Sequence, residues 1–152
     1  MSVGIAASAP FTFVLNEATR ILAVDDDPIQ LEFASAYLST PTATVETAQS
    51  AEAGLEKLAS GRFDIALVDL DMPGIGGMEM IRRVRADPAS RALPIVVVTS
   101  LDDILSIDAA YEAGASSFIT KPVNWRLLSY HLRFVLRAAQ AASDPRGRRN
   151  SG

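Results

Sequence analysis

Four short apolar runs in this 152-residue sequence stop on residues that can do chemistry. ILAV runs into Asp25 and Asp26, IALV into Asp69, IVVV into Thr99 and SFIT into Lys121. An apolar strand has no structural need of an acid, a hydroxyl or an amine at its end, so the recurrence asks for a chemical reason. Three carboxylates brought together repel one another, and at least one has its pKa raised unless a cation shares the site. A hard divalent ion with oxygen ligands resolves that conflict, and Mg²⁺ is the usual choice where carboxylates also meet a phosphate. Lys121 then offers a second positive charge to phosphoryl oxygens, and Thr99 a hydroxyl donor. The set reads as phosphoryl-transfer chemistry.

These groups meet only if the runs are strands that end on one edge of a sheet. From residue 20 onward, short β-branched runs alternate with longer helical patterns, the signature of βαβ units and a parallel sheet buried on both faces. The strands are expected at Ile21–Asp25, Ala43–Thr47, Ile65–Asp69, Ile95–Thr99 and Ser117–Thr120. The helices are expected at Pro28–Leu38, Ala51–Ser60, Met78–Ala86, Asp102–Ala113 and Trp125–Ala141. Asp27-Pro28 reads as an N-cap followed by proline at the first helical position. Gly61 and Gly114 stand where C′ glycines belong, and Asp87-Pro88 closes the third helix. In such a sheet ligands bind beyond the carboxyl ends of the strands, at a topological switch point.

The spaced motifs VDDDP (24–28), VDLDMPG (68–74), VTS (98–100) and GASSFITKP (114–122) resemble the receiver domain of bacterial two-component response regulators. The resemblance covers about residues 20–141. It implies an α/β, doubly wound, flavodoxin-like fold with a five-stranded parallel sheet in the order 2-1-3-4-5. It implies Asp69 as phosphoacceptor, with Asp25 and Asp26 holding Mg²⁺ together with Asp69 and the backbone carbonyl of Asp71. Thr99 resembles the switch hydroxyl, Phe118 the aromatic that turns inward on activation, and Lys121 the phosphate-pairing lysine. The Lys121-Pro122 bond is then expected to be cis. The implied partner is a histidine kinase or a histidine phosphotransfer protein, and the implied role is signalling rather than enzymatic. The sequence departs from the family at Gly74-Ile75-Gly76-Gly77, where an Asp commonly precedes a Gly.

Other readings of the same residues differ in class. Asp69-x-Asp71 has the nucleophile and general-acid spacing of haloacid-dehalogenase-like phosphatases, but there the pair opens the first strand and a further acidic pair follows the lysine. Here the acidic pair lies upstream, and only Asp144 follows Lys121. A receiver-fold binding module that no longer uses phosphate is a second alternative, acting through its basic C-terminal part. Asp27 reads as a helix cap, His131 as a packing residue in mid-helix, and Gly74, Gly76 and Gly77 as turn glycines. The side chain of Asp71 is either a surface acid or an influence on phosphate lifetime.

Composition bounds the rest. With 49% hydrophobic and 21% charged residues the chain has ordinary globular composition, enough for one domain with a sizeable core. It has no cysteine, hence neither disulfide nor thiolate metal site, which fits a cytoplasmic location. Residues 1–16 carry no charge but fall short of the roughly 20 apolar residues of a membrane span, and no apolar stretch precedes Ala7-Ser8-Ala9 as in a signal peptide. Residues 1–19 form an N-terminal extension, 20–141 the receiver unit, and 142–152 a basic tail expected to be disordered.

The formal charge of −4 is uneven: residues 1–120 hold 7 basic and 17 acidic groups, and 121–152 hold 7 basic and 1 acidic. In the last helix, Leu128, Leu132, Val135 and Ala139 are expected to face the sheet. Arg126, Tyr130, Arg133 and Arg137 are left outward, with Arg146, Arg148 and Arg149 behind them. That stripe suits an acidic partner or a phosphate-rich ligand such as a cyclic dinucleotide. The length leaves little room for a DNA-binding output domain, so the expected output is protein contact through helix four, strand five and helix five, or phosphorelay. PVNWRLL is also similar to receivers that precede cyclic-dinucleotide synthase domains, which would make the chain a piece of a longer protein.

Overall fold

The computed structural model describes Leu15 and residues 18–143. Residues 1–14, 16, 17 and 144–152 lie outside the described residues, and with them most of the expected extension and tail, including Arg146, Arg148 and Arg149. The elements alternate: β1 Thr19–Val24, α1 Pro28–Leu38, β2 Ala43–Ala48, α2 Ala51–Ser60, β3 Ile65–Val68, α3 Gly76–Ala86, β4 Ile95–Thr99, α4 Ile104–Ala113, β5 Ser117–Thr120 and α5 Trp125–Ser143. The five strands are parallel in the order β2-β1-β3-β4-β5, the doubly wound arrangement expected.

The sheet divides the core because successive strand residues point to opposite faces. Leu22, Val24, Ala66, Val68, Ile95 and Val97 join one buried cluster with Ala51 of α2, Met80, Ile81 and Val84 of α3, and Ala110 of α4. Ile21, Ala23, Ile65, Leu67, Val96 and Val98 join the other, with Leu31, Ala34 and Leu38 of α1 and Leu128, Leu132 and Val135 of α5. Each Val, Leu or Ile fully buried in this way contributes about 1.5–3 kcal/mol. Both faces being covered explains why the strands read as continuous apolar runs.

The chain leaves β1 for β2 on one side and returns to β3 on the other, so the switch point lies between the carboxyl ends of β1 and β3. Val24 pairs with Val68 there, and the next residues on the two strands are Asp25 and Asp69. Asp25 N–H donates to Ala48 O (3.1 Å) and Asp69 N–H to Val24 O (3.0 Å), which ties both acids to the ladder at the point where it ends.

Several boundaries differ from expectation. β1 begins at Thr19 because Thr19 and Arg20 still pair with Ala43 and Thr44. α3 begins at Gly76, two residues early, without a side-chain cap, and α4 begins at Ile104 because Asp103 is its cap, accepting from Ser106 N–H. α5 runs to Ser143, which makes the first two residues of the expected tail helical. Asp27 caps α1 as expected, accepting from Ile29 N–H. Gly114 has the left-handed φ of 120° of a C-terminal glycine, whereas Gly61 is extended at φ −154°, a conformation open to any residue. The Lys121-Pro122 bond is cis. At the opposite end of the sheet, Arg85 donates to the carbonyls of Gly114 (2.8 Å), Leu93 (2.6 Å) and Arg91 (3.1 Å), fixing the base of β5 against α3.

Candidate functional site

β1 and β3 bring Asp25, Asp26 and Asp69 together, with one carboxylate oxygen of each within 4.8 Å of the others. Asp25 and Asp69 are buried and Asp26 is exposed, so the group has a dry floor and an open side. Lys121, just past β5, spans the two buried acids: Nζ lies 2.7 Å from Asp25 Oδ2 and 3.0 Å from Asp69 Oδ2. The other oxygen of each acid is held by the loop that follows it. Asp25 Oδ1 accepts from Asp27 N–H (2.9 Å), and Asp69 Oδ1 accepts from Asp71 N–H (3.2 Å). Each buried carboxylate is thus oriented on both sides by hydrogen bonds, as buried charges require.

The electrostatics follow from burial. Desolvation pushes the Asp25 carboxyl above the ordinary aspartate range; the Lys121 hydrogen bond counters this only in part, and the charge of Asp69 adds to it. Burial alone would lower the Lys121 ammonium, but its hydrogen bonds to Asp25 and Asp69 outweigh that and hold it above the ordinary lysine value. The site therefore carries an acidic excess that one lysine does not neutralise. An all-oxygen donor set with one member open to solvent fits a hard divalent cation such as Mg²⁺.

Thr99, at the end of β4, is fully buried beside this edge, and its Oγ1 accepts only a long bond from Leu101 N–H (3.4 Å). Its carbonyl accepts from Lys121 N–H (2.8 Å), which sets the lysine against β4. Phe118 is half-buried and packs on the α2–α3–α4 side of the sheet, while Ile119 packs on the α1–α5 side. The Asp71 side chain is exposed.

Gly77 has a part in the site that its reading as a turn glycine misses. It is buried, its N–H donates to Leu70 O (3.3 Å), and a Cβ on it would stand 2.0 Å from the carbonyl oxygen of Asp69. Gly74 and Gly76 are turn glycines in the expected sense, with φ of 84° and 80°. The doubled glycine before a helix is the only sequence signal of the close approach.

The other singled-out residues stand apart from this edge. His131 is half-buried and hydrogen-bonded to Ser117 Oγ. On α5, Leu128, Leu132 and Val135 are buried and Ala139 half-buried, as expected. The outward stripe needs correction: Arg126, Tyr130 and Arg137 are exposed, but Arg133 is half-buried, and Leu127 and Phe134 are exposed instead. Arg133 lies one helical turn beyond the buried Ser129, at the rim of the packed face. The acidic pair beside Asp69 follows β1, the first strand, and Asp69 itself follows β3, the third, unlike the phosphatase arrangement. Among the described residues no helix is long and apolar enough to cross a membrane.

Comparison with known proteins gives one answer. The family model described as response regulator receiver domain matches residues 21–133. The response regulator PleD of Caulobacter vibrioides is 33% identical over 135 residues, 89% of this chain and 30% of that protein. The transcriptional regulatory protein CseB of Streptomyces avermitilis is 32% identical over 134 residues, 88% of this chain and 56% of that protein. Among solved structures, a CheY-like response regulator receiver domain protein from Methanospirillum hungatei superposes with a TM-score of 0.78 at 28% identity, over 84% of this chain and all of that one. The chain spans about a third to a half of the curated relatives it matches.

Proposed function

This chain belongs to the response regulator receiver domain family, and from that premise we propose that it takes a phosphoryl group on Asp69 and signals by the change of shape that follows. The observation that carries the reading is the Lys121 amine bridging two buried carboxylates, with a third carboxylate oxygen within 4.8 Å, at the sheet's switch point. In the proposed reaction an Asp69 carboxylate oxygen forms a bond to phosphorus as the bond from phosphorus to the donor's imidazole nitrogen breaks, and the donor keeps that electron pair. Asp25, Asp26, Asp69 and the Asp71 carbonyl would hold Mg²⁺, which when bound neutralises charge on the transferring group. Lys121 exchanges its two carboxylate partners for a phosphoryl oxygen, and Asp71 N–H keeps Asp69 oriented. The residues provide position and charge, the main demand of phosphoryl transfer.

The finer parts of the reading are proposals of the same kind. The receiver unit expected at residues 20–141 takes in Thr19 of β1 and Ala142 and Ser143 of α5, between an N-terminal extension and a basic tail. The donor is a histidine kinase or a histidine phosphotransfer protein, and the location is cytoplasmic. Output runs through α4, β5 and α5, whose exposed Ile104, Leu105, Leu127 and Phe134 offer apolar contact area.

The test is labelling of the whole chain with a small acyl phosphate. One labile phosphate adduct is expected, on the peptide that contains Asp69, in Mg²⁺ but not in excess chelator. An adduct on another peptide, or full labelling in chelator, overturns the assignment. A second expected result concerns the switch. Thr99→Ala removes the hydroxyl that a phosphoryl oxygen would recruit, so the variant should label normally but lose the nuclear magnetic resonance shifts at Phe118 and its neighbours. Unchanged shifts would remove Thr99 from the coupling.

A further inference from the structure

Trp125, the chain's single tryptophan, opens α5 four residues after Lys121. Its ring stacks on Tyr37 of α1, centroids 5.7 Å apart and planes within 8°, and lies 6.4 Å from Phe33, which in turn lies 6.1 Å from Tyr37. Tyr37 and Phe33 are 59% and 44% exposed, so the three rings form an open ladder across the α1–α5 crevice. Trp125 also lines a void of about 20 Å³ whose other walls include Asp25, Gln30, Asp69 and Val98. One aromatic side chain therefore touches the floor of the acidic site and an exposed surface.

Two links join Trp125 to the chemistry. Through space, Trp125 shares with Asp25 and Asp69 a void with room for about one water, so its ring and the two acids border the same small space. Ala23, Val24, Leu67 and Val68 are buried strand residues fixed by the ladder, whereas Gln30 and Trp125 are half-buried and Trp125 leans on an exposed partner. Along the chain, Lys121 reaches Trp125 through Pro122, Val123 and Asn124, and the link ends on a fixed cap. Asn124 Oδ1 accepts from Leu127 N–H (3.0 Å) and its carbonyl from Leu128 N–H (2.8 Å). The backbone of Lys121 is thus separated by three residues from the capped first turn of α5. Trp125 packs on the α1–α5 side of the sheet and Phe118 on the opposite side.

We propose that Trp125 with Tyr37 and Phe33 forms a second readout of the phosphorylation site, on the face of the sheet opposite Phe118, whose stacking is reset when Lys121 leaves Asp25 and Asp69. This rests on the reading of Asp69 as phosphoacceptor. It gives the domain two outputs: the Thr99–Phe118 route toward α4 and β5, and the aromatic ladder on α1 and α5. An aromatic surface that changes its stacking presents a different apolar contact area to a partner, with no new charge needed.

The experiment titrates the full chain with beryllofluoride in Mg²⁺, following Trp125 emission and, in parallel, the fluorine resonance of the bound anion. A saturable change in emission is expected at the concentrations where bound beryllofluoride appears. The change should persist in Thr99→Ala and be lost in Tyr37→Leu, which keeps the anion affinity of the unsubstituted chain. Bound anion with unchanged emission overturns the proposal. So does a change that disappears in Thr99→Ala, because the ladder would then only follow the Phe118 route. Absence of any bound anion would be a different failure, that of the phosphoacceptor reading itself, and the second readout would fall with it.

Discussion

Replacing Gly77 by alanine is expected to destabilise the chain by about 3 kcal/mol and to abolish labelling of Asp69, although residue 77 bears no reactive group. The added Cβ would stand 2.0 Å from the Asp69 carbonyl oxygen and 2.9 Å from Leu70 Cα, contacts that real side chains essentially never make. Both are backbone atoms, so no flexible side chain can move aside. The clash is relieved only by shifting α3 or the end of β3, and the second of these carries Asp69 away from Lys121. Gly76→Ala is the control. Its nearest neighbour would be Leu70 O at 3.9 Å, so nothing blocks it sterically, but its φ of 80° makes an L-residue cost about 1–2 kcal/mol. Urea unfolding should place Gly77→Ala well below Gly76→Ala, and only Gly76→Ala should label. A Gly77→Ala chain with the unsubstituted midpoint would mean that the β3–α3 loop is loose enough to absorb the methyl group.

The same residue marks where reading the sequence stops. A buried strand has a hydrophobic signature, and a polar residue at its end has a definite place once the strands are parallel. The sequence pattern alone therefore puts Asp25, Asp26, Asp69, Thr99 and Lys121 on one edge. The strand order was different: periodicity is the same for every permutation of five buried strands, and the order came from the resemblance of the motifs. Contacts between backbone and backbone left almost no trace, because Gly77 meets Asp69 through atoms that every residue has. Helix faces were legible only to within a residue or so. On α5 the buried set Leu128, Leu132 and Val135 was recovered, but the rim was not, since Arg133 and Phe134 differ by one step around the helix and fall on opposite sides of the boundary between half-buried and exposed. Trp125 sits at a helix start that reads as an ordinary boundary, and its reach to Tyr37 depends on the placement of α1 against α5, which no local pattern encodes.

Asp25→Asn is expected to make the metal-free chain more stable at neutral pH and to weaken Mg²⁺ binding by about 100-fold or more, a stability gain at the expense of the site. Burial holds the Asp25 carboxyl above its ordinary value of 3.8, so between 3.8 and its folded value the native state binds more protons than the unfolded chain. Stability then falls as pH rises through that window and stays lower at neutral pH, where the ionised carboxylate is a net cost. Lys121 runs the other way: raised above 10.5 in the folded state, it contributes stability that is complete below 10.5 and is lost as pH rises through its folded value. Asparagine removes the charge; its single side-chain oxygen can accept from Asp27 N–H or from Lys121 Nζ but not both, and Lys121 keeps Asp69 at 3.0 Å, so no buried charge is orphaned. The fall in stability between acid and neutral pH should be smaller in the variant.

Metal reverses the comparison. Changes to groups that merely support metal ligands cost about 10–100-fold in affinity, and loss of a carboxylate ligand should cost at least the upper figure. Mg²⁺ at about 100 times its Kd would stabilise the unsubstituted chain by about 2.7 kcal/mol. At the same concentration an Asp25→Asn chain with 100-fold weaker affinity would gain only about 0.4 kcal/mol. The order of stability should therefore invert as Mg²⁺ is added, the variant leading in chelator and the unsubstituted chain leading in excess metal. Urea unfolding at neutral pH with and without Mg²⁺ reads this directly. A variant that is the less stable of the two in chelator would show that Asp25 is held by Lys121 more firmly than burial opposes it, and parallel gains from Mg²⁺ would place the metal's main ligands elsewhere.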